Sequence, residues 1–267
     1  MSEGVQTAYT WTAPDGSVHT YTPPPSTAPP DQPTPPDQPT PPIQPPSGVY
    51  EPSVPADVLA QLKITPSLDE TWATKPEWGK RWANNWFGGN NFNQQPLDSN
   101  NVGWTPGELS LGVSNNGRTG CMVVSNPSNP CNPGFTYTTG YAEADLESPG
   151  DPAWFAWWTN GQNWPDNGEH DVVEWLGANP HRATGNYHDA AGAHNSGTIA
   201  GNWSGRHRHG VFRTPGSATY YWDGKPVVTH KTTDREAPHY LLLSIGDRNG
   251  GGQGPVVCRR VTVWPLA

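Results

Sequence analysis

The sequence predicts an all-β sandwich or barrel that begins near Ser67 and follows a proline-rich linker. From Ser67 onward, short runs of aromatic and β-branched residues are separated by Gly, Asn, Pro and Asp, and no long amphipathic helix interrupts them. The chain also has 14 tryptophans, which bury large apolar areas, although only 33% of its residues are hydrophobic. Together with 32 prolines, this uneven composition indicates a disordered part joined to an aromatic-rich folded part.

Charge and hydropathy narrow the range of partners. The net charge is −9 and no stripe of Lys and Arg occurs, so nucleic acid and anionic membranes are not expected to bind. No apolar run reaches the length of a membrane span. The residues after Met1 show neither the basic start nor the apolar region of a secretory signal peptide.

Residues 1–22 predict a β-hairpin. Thr and aromatic residues alternate over 8–12 and 18–22, on either side of Asp15-Gly16, a sequence typical of tight turns. Because a lone hairpin is marginally stable in water, we expect it to pair with copies of itself or with a partner protein. An unstructured terminus is the alternative.

Residues 23–48 predict a polyproline II spacer. The unit Pro-Pro-Asp-Gln-Pro-Thr occurs at 29–34 and again at 35–40. At ~3.1 Å per residue, this segment spans up to ~80 Å. Residues 49–66 are a connecting segment with a short helix predicted over 55–63.

The strands of the folded part are bounded by turn residues. Asp223-Gly224 is a predicted hairpin turn between two of them. The clearest predicted strands cover 135–146, 153–158, 169–175, 218–222, 226–230, 239–245 and 256–264.

The three cysteines do not define a disulfide framework. Cys121 and Cys131 bracket a loop rich in Ser, Asn and Pro, and a bond between them depends on geometry that the sequence leaves open. With Cys258, the count is odd, and the spacings do not match a zinc site.

An acidic trio in the strand 169–175 is the candidate catalytic site. In a regular strand Glu169 and Asp171 share one face while Glu174 points to the other. A single β-bulge between Asp171 and Glu174 brings all three carboxylates to one surface. Crowded carboxylates repel each other, which costs folding free energy and raises at least one pKa. A functional role would explain why the protein places them together.

This arrangement suits glycosidic cleavage. One carboxylate attacks the anomeric carbon and a protonated one supplies a proton to the leaving oxygen, with the two ~5–5.5 Å apart in retaining enzymes. The alternative is a solvent-facing strand with scattered acids. The apolar neighbours Val172, Val173, Trp164 and Trp175 argue against it, since unpaired charge in such surroundings is costly.

The segment resembles the glycoside hydrolase family 16 signature Glu-x-Asp-x-x-Glu, in the bulged form of laminarinase-like members. Other segments also resemble strands of that family, and the resemblance covers about residues 67–267. They include Gly140-Tyr141-Ala142-Glu143-Ala144, Pro152 to Trp157, Trp164-Pro165 with Gly168, Trp203 to His207, Thr214-Pro215-Gly216, Tyr220 to Gly224 and Val261 to Trp264.

The resemblance implies a concanavalin A-like β-jelly roll of two curved antiparallel sheets with a cleft across one face. It implies that Glu169 is the nucleophile, Asp171 the assisting carboxylate and Glu174 the general acid/base. The predicted substrate-binding residues each have a packing or structural role as the alternative. They are Trp154, Trp158, Trp164, Trp175 and His188. No cofactor is required; a structural calcium is known in the family, and no residue cluster here decides for or against it.

Four positions depart from the family pattern. His170 stands between the nucleophile and the Asp where Ile or Leu is usual, and its side chain is expected to point away from the cleft. Asp145 stands where Arg is common, Arg213 where an aromatic residue is common, and Ser244 where Asn is common. These departures bear on the substrate more than on the mechanism.

We therefore expect a retaining endo-glycosidase of β-linked polysaccharide, of the β-1,3-glucan or galactan type. The alternative is a carbohydrate-binding or virion decoration protein on the same fold, without turnover. The hairpin, the spacer and the absent signal peptide suit a phage virion protein, attached or self-associated through residues 1–22 and acting outside the cell. An unrecognised leader in a longer reading frame is the alternative explanation. The substrate sugar, its linkage and the oligomeric state stay open.

Overall fold

Two antiparallel β-sheets packed face to face carry most of the chain in the computed structural model. The structure describes residues 9–12, 18–21, 54–86, 91–92, 95–125, 134–149, 153–175, 182–189, 191, 194–200, 204–246 and 254–267. The proline-rich segment 23–48 and Cys131 lie outside these residues.

Strands dominate the described residues, with one short α-helix and one 3-10 turn at Ser99–Asn101. In chain order the elements are β1 (Tyr9–Thr12), β2 (Val18–Tyr21), α1 (Ala56–Leu59), β3 (Leu68–Glu70), β4 (Asn91–Phe92), β5 (Gln95–Pro96), β6 (Val102–Thr105), β7 (Glu108–Leu111), β8 (Cys121–Val124), β9 (Gly140–Pro149), β10 (Trp154–Gly161), β11 (Glu169–Trp175), β12 (Arg182–His188), β13 (His194–Ala200), β14 (Ser204–Thr214), β15 (Ser217–Trp222), β16 (Lys225–Lys231), β17 (His239–Gly246) and β18 (Val256–Pro265).

One sheet has six strands and the other has eight. The six-stranded sheet runs β13-β12-β11-β10-β17-β8, and the eight-stranded sheet runs β16-β15-β14-β9-β18-β7-β6, with β3 added beside β18. All the pairs are antiparallel, which confirms the predicted antiparallel sandwich of the jelly-roll type.

The main core lies between the two sheets. Alternation along β10 shows how: Phe155 and Trp157 are fully buried in this core, whereas Ala156 and Trp158 belong to a separate cluster on the other face of the six-stranded sheet. The second face therefore lies opposite the core, and it carries the cleft described below.

All seven predicted strands are present; β11 has the predicted bounds, and the other six differ from the prediction at one or both ends. The strand predicted over 135–146 begins later, at Gly140. The predicted turn at Asp223-Gly224 joins β15 to β16, and both residues have positive φ, as a type I′ hairpin turn requires. The N-terminal prediction holds for its strands, since β1 pairs antiparallel with β2.

Residues 54–66 belong to the sandwich rather than to a separate connector. The helix predicted over 55–63 ends at Leu59, because Leu62 forms a β-bridge with Leu266 at the end of the chain. The side chains of Val54, Val58 and Leu62 are buried. They pack against Tyr141, Phe212, Tyr221 and Trp264 of the eight-stranded sheet.

Cys121 carries a buried free thiol, as does Cys258. The Sγ atom of Cys121 lies 3.4 Å from the carbonyl oxygen of Asn101 and 3.5 Å from that of Gly112. Burial raises the pKa of this thiol. Cys121 is thus an inert core residue. Among the described residues, no helix is both long and apolar enough to span a membrane.

Candidate active site

A β-bulge in β11 places the acidic trio on one face. Asp171 pairs with Asn186 of β12 and Glu174 pairs with Thr184, so Val172 and Val173 stand opposite the single residue Gly185. The register with β10 shifts at the same point. Both valines are buried in the main core. The predicted bulge is therefore present, and it turns Glu174 to the side of Glu169 and Asp171.

These three carboxylates line one cleft with a volume of about 630 Å³ on the face of the six-stranded sheet that lies away from the core. Strands β10, β11, β12 and β17 carry most of the lining residues, and the side chains of Trp86, Asn91 and Phe92 line it as well. The lining residues are Trp86, Asn91, Phe92, Trp154, Ala156, Trp158, Asn160, Trp164, Glu169, Asp171, Glu174, His188 and Ser244.

Glu174 is held by two neutral donors. The indole Nε1 of Trp154 donates to its Oε1 at 2.7 Å, and the side-chain amide of Asn186 donates to its Oε2 at 2.7 Å. The hydroxyl of Ser196 donates to Oδ1 of Asn186 at 2.7 Å, which directs the NH₂ group of that amide toward Glu174. The carboxylate therefore has a fixed rotamer before any substrate binds.

His188 contacts the other two acids. Its Nε2 lies 3.1 Å from Oδ2 of Asp171 and 3.7 Å from Oε1 of Glu169. The hydrogen bond to Asp171 raises the pKa of His188, against the opposing effect of burial. A protonated His188 offsets part of the negative charge of the trio.

Burial and like charge raise the pKa of both glutamates. Desolvation is the largest cause at each, followed by the negative charge of Asp171. The pKa of Glu169 rises to about 8 and that of Glu174 to about 7. The site therefore keeps a proton near neutral pH, which is the state that an acid-assisted reaction needs.

Three of the four predicted tryptophans line the cleft. Trp164 is 58% exposed and offers an open indole face, and Trp154 lies beside Glu174. Trp158 is only 3% exposed, stacks on Trp86 with ring centroids 6.0 Å apart, and donates from Nε1 to Ser244 at 3.1 Å. Trp158 is thus part of the cleft floor, where Trp86 covers it and Ser244 accepts its hydrogen bond.

The prediction that Trp175 binds substrate is wrong. Its side chain is 3% exposed and packs on Phe155 in the core between the sheets, with ring centroids 4.9 Å apart. The reason is the strand alternation after the bulge: once Glu174 faces the cleft, its neighbour must face the core.

Sequence reasoning missed several residues of the site, some that line the cleft and one, Asn186, that donates to Glu174. Asn186 was detectable, because it lies two positions before His188 on the same strand and therefore shares its face. Trp86 and Phe92 come from a segment far from the motif and carry no local signal. Ser244, noted as a departure from the family pattern, lies in the cleft as the acceptor for Trp158.

Two clusters of potential metal ligands occur among the described residues, and neither fits a structural calcium. Glu169, Asp171 and His188 form the first, inside the cleft. His170, Asp234 and His239 form the second, in the core. Histidine nitrogens are poor calcium ligands, and the Oδ2 atom of Asp234 already accepts from Arg213 at 2.7 Å.

The fold and the cleft define a glycoside hydrolase of the jelly-roll type. The model of the family described as "Glycosyl hydrolases family 16" matches residues 91–245, which is more than half of the chain. The chain belongs to glycoside hydrolase family 16. The sequence comparison with curated proteins gave no match.

Solved structures with the same fold include laminarinases. The laminarinase from Flavobacterium sp. UMI-01 aligns with a TM-score of 0.61 and 19% identity, over 75% of this chain and 100% of its own. The laminarinase from Rhodothermus marinus gives 0.61 and 19%, over 76% and 97%. LamA from Z. galactanivorans, in complex with laminaritriose and laminaritetraose, gives 0.60 and 19%, over 75% and 99%. At these identities the likeness shows the fold.

Proposed function

We propose that this protein is a retaining endo-glycosidase that hydrolyses a neutral β-linked glucan of the β-1,3 type. The observation that carries the proposal is the bulge in β11, which brings Glu169, Asp171 and Glu174 into one cleft lined with indole rings. Indole faces stack on pyranose rings, and a pair of carboxyl groups of unequal charge is the machinery of glycosidic cleavage.

The reaction has two displacements. In the first, ionised Glu169 attacks the anomeric carbon while protonated Glu174 gives its proton to the glycosidic oxygen, so that the leaving sugar departs as an alcohol. In the second, ionised Glu174 takes a proton from water, and the water oxygen attacks the anomeric carbon and releases Glu169. Each step inverts the anomeric centre, and the two together retain it.

Asp171 and His188 serve the charge balance of this cycle. The Asp171 charge raises the pKa of Glu174, which keeps the acid protonated before the first displacement. His188 lies within 3.7 Å of Glu169, and its positive charge stabilises the ionised nucleophile. Asp171 in turn holds His188 by the hydrogen bond at 3.1 Å.

The order of the two glutamates is taken from the resemblance of the motif. The pKa is raised at both, and more at Glu169 than at Glu174, so the charge state of the free cleft does not by itself assign the roles. Azide rescue assigns them. With an activated aryl β-glycoside, Glu174→Ala is expected to give the β-glycosyl azide and Glu169→Ala the α-glycosyl azide. The reverse pattern would exchange the roles.

A neutral substrate is supported by the charge of the cleft. None of the described lining residues is Lys or Arg, whereas three are acidic. A sulfated galactan would bring its anionic groups near those carboxylates without a cationic partner. The β-1,3 linkage is supported by the laminari-oligosaccharides bound to the related LamA structure.

The test is a polysaccharide panel with matched variants. We expect wild type to release reducing ends from β-1,3- or mixed-linked glucan, with retention seen by NMR, and to release none from carrageenan. Glu169→Gln should abolish the release, while Glu77→Gln, on a side chain that is 70% exposed and forms an ion pair with Lys80, should not. Saturable glucan binding by wild type without turnover would favour a carbohydrate-binding protein instead.

We also propose that the N-terminal strands attach the enzyme to a virion or to further copies of the chain. The pairing of β1 with β2 supports an ordered element ahead of the spacer. Light scattering of the full chain and of a chain without residues 1–48 tests self-association. Co-sedimentation of the full chain with phage particles tests attachment. A monomer that stays out of the particle fraction would contradict both.

A further inference from the structure

Behind the acidic trio, a chain of buried polar side chains joins the two sheets. His170 lies between Glu169 and Asp171 but points away from the cleft and is fully buried. Its Nδ1 lies 3.1 Å from the hydroxyl of Tyr220 on β15, and its Nε2 lies 2.9 Å from Oδ2 of Asp234 in the loop between β16 and β17.

The far end of this chain is an ion pair. Arg213 of β14 donates from Nη2 to Oδ2 of Asp234 at 2.7 Å, and both side chains are almost completely buried. An apolar core of the same volume is often as stable as a buried ion pair, so stability alone does not account for this one.

At the other end of this hydrogen-bond network, Tyr220 contacts β12, the strand that pairs with the bulge. The hydroxyl of Tyr220 donates to the backbone carbonyl of Asn186 at 2.6 Å. Because a carbonyl oxygen can only accept, this bond uses the single proton of the phenol, and the phenol oxygen must accept from Nδ1 of His170. Burial raises the pKa of Tyr220 well above its ordinary value, so the donor persists at every working pH.

The contact between His170 and Asp234 then needs one more proton. Burial lowers the pKa of His170 to about 4, although the hydrogen bond to Asp234 opposes this. Burial raises the pKa of Asp234, but the hydrogen bond from His170 and the charge of Arg213 outweigh it and lower that pKa below that of His170, so the proton belongs to Nε2 of His170 and not to the carboxylate.

A second donor acts on the same stretch of β12. The Nε2 atom of His230, on β16, lies 3.2 Å from the carbonyl oxygen of Gly185, which is the residue opposite the bulge. Gly185 also allows Tyr220 to come close: a Cβ atom there would lie 2.8 Å from Cδ2 of the Tyr220 ring. The eight-stranded sheet thus holds the backbone of Gly185 and Asn186 from behind.

The side chain of Asn186 carries this position into the cleft. Its amide donates to Oε2 of Glu174 at 2.7 Å, and its Oδ1 accepts from Ser196. The bond from Asn186 lowers the pKa of Glu174 against the larger effects of burial and of Asp171. The chain from Arg213 to Asn186 therefore ends on a carboxylate of the trio.

We propose that Tyr220, held by His170, Asp234 and Arg213, is a positioning residue that fixes Asn186 and through it the hydrogen bond on Glu174. This inference rests on the proposed function insofar as Glu174 is the acid/base, but the contact that it describes exists without substrate. Tyr220 itself does not touch the cleft.

The primary test follows the titration of the Glu174 side-chain carboxyl by ¹³C NMR, without substrate. The groups that act on it are Glu169 and Asp171 of its own strand, His188 of β12 and the Trp154 donor of β10, and none of them is substituted in the variants. Tyr220→Phe should raise the pKa of Glu174 by about 0.5 to 1 unit, since a weakened hydrogen bond favours the neutral acid. Asn186→Ala should do the same.

The double variant decides whether the two residues act in series. If Tyr220 acts through Asn186, Tyr220→Phe combined with Asn186→Ala should shift the titration no further than Asn186→Ala alone. Additive shifts, or an unchanged titration in Tyr220→Phe, would overturn the proposal. Tyr221→Phe is the matched control, because it removes the same hydroxyl from the other face of β15 and should leave Glu174 unchanged.

Kinetics and a second variant complete the design. Tyr220→Phe should lower kcat about 10-fold with KM within about 2-fold, and move the alkaline limb of the rate profile to higher pH; a purely structural loss would reduce the amplitude without moving the limb. Asp234→Asn, which loosens the hold on His170, should give a smaller shift of the same sign. If the titration shifts but wild type cleaves no glucan, the proposed function fails and the positioning role stands.

Discussion

Asp171 and Glu174 lie on the same face of β11 although three positions separate them, because Val172 and Val173 together stand opposite Gly185. Both valines point into the core. The extra residue is therefore accommodated by apolar burial on one side of the sheet, while it aligns the acids on the other side.

Gly185 is the position where this bulge is most sensitive. A Cβ atom there would lie 2.8 Å from the Tyr220 ring and 2.9 Å from Cγ1 of Val228. Gly185→Ala should lower the free energy of unfolding by about 1–3 kcal/mol and also reduce kcat, because β12 must move away from the ring. Urea unfolding and initial rates measure the two effects.

A control separates loss of stability from loss of geometry. Gly216 lies in the turn between β14 and β15 with a φ of 74°, and a Cβ atom there meets nothing within 4 Å. Gly216→Ala should destabilise through backbone strain and keep kcat. If Gly185→Ala kept wild-type kcat as well, the precise position of β12 would not matter for the reaction.

The raised pKa of Glu174 predicts that the site lowers stability at high pH. The folded value is about 7, whereas an unperturbed glutamate titrates near ~4.3. Between these values the folded protein keeps a proton that the unfolded chain has released, so the free energy of unfolding falls as pH rises through this window. Glu174→Gln should therefore be more stable than wild type at pH ~8, by about 1–3 kcal/mol.

The pH dependence of that difference is the check. At pH ~4 both forms of the side chain are neutral, so the gain from Glu174→Gln should largely vanish. Denaturant unfolding at the two pH values measures it. A gain of equal size at both would mean that the substitution acts through packing or a new hydrogen bond.

Asp171→Asn should move the rate profile in the acid direction. The Asp171 charge raises the pKa of both Glu169 and Glu174, so its removal lowers both. The alkaline limb of kcat/KM, which reports loss of the proton from the acid, should fall to lower pH, opposite to the effect of Tyr220→Phe. A pH profile on soluble glucan tests this prediction. If the alkaline limb did not move, the charge of Asp171 would not control the pKa of the acid.

Two tryptophans on opposite faces of the six-stranded sheet should respond differently to substitution. Trp154→Phe removes the donor to Glu174 and should lower kcat with little loss of stability. Trp175→Ala removes a ring packed on Phe155 and should cost about 3–5 kcal/mol. Thermal melts and rates on the two purified variants distinguish these roles. Equal losses of stability would contradict the assignment of Trp154 to the cleft.

The bulge could be predicted from the sequence. Side chains alternate between the two faces of a strand, so the three acids of Glu-x-Asp-x-x-Glu can share one face only if the strand contains one extra residue. The same alternation places Trp175 in the core, and proximity to the motif was the wrong guide. Asn186 follows from alternation with His188.

The remaining parts depend on distances along the chain that no local pattern encodes. Trp86 and Phe92 reach the cleft from a segment well before the catalytic strand. In the buried hydrogen-bond network, Arg213 lies on β14, Tyr220 on β15 and Asp234 in the loop after β16. Tyr220 and Asp234 contact His170 of β11, and Arg213 contacts Asp234. No sequence pattern relates these positions to one another. Only the packing of the sheets brings them together.

The N-terminal boundary of the enzyme gives the last prediction. Val54, Val58 and Leu62 are buried against the eight-stranded sheet, and the backbone of Lys63 donates to the carbonyl of Pro265 at 2.9 Å. At about 1.5–3 kcal/mol for each buried apolar side chain, the removal of all three costs on the order of 4.5–9 kcal/mol, which is comparable to the whole stability of a typical domain. Deletion of residues 1–66 should therefore abolish cooperative folding, whereas deletion of residues 1–48 should leave the melting temperature and the catalytic constants on soluble glucan unchanged. Thermal melts and rates on the two truncations decide it, because a stable, active chain that starts at Ser67 would show that the packed segment is dispensable.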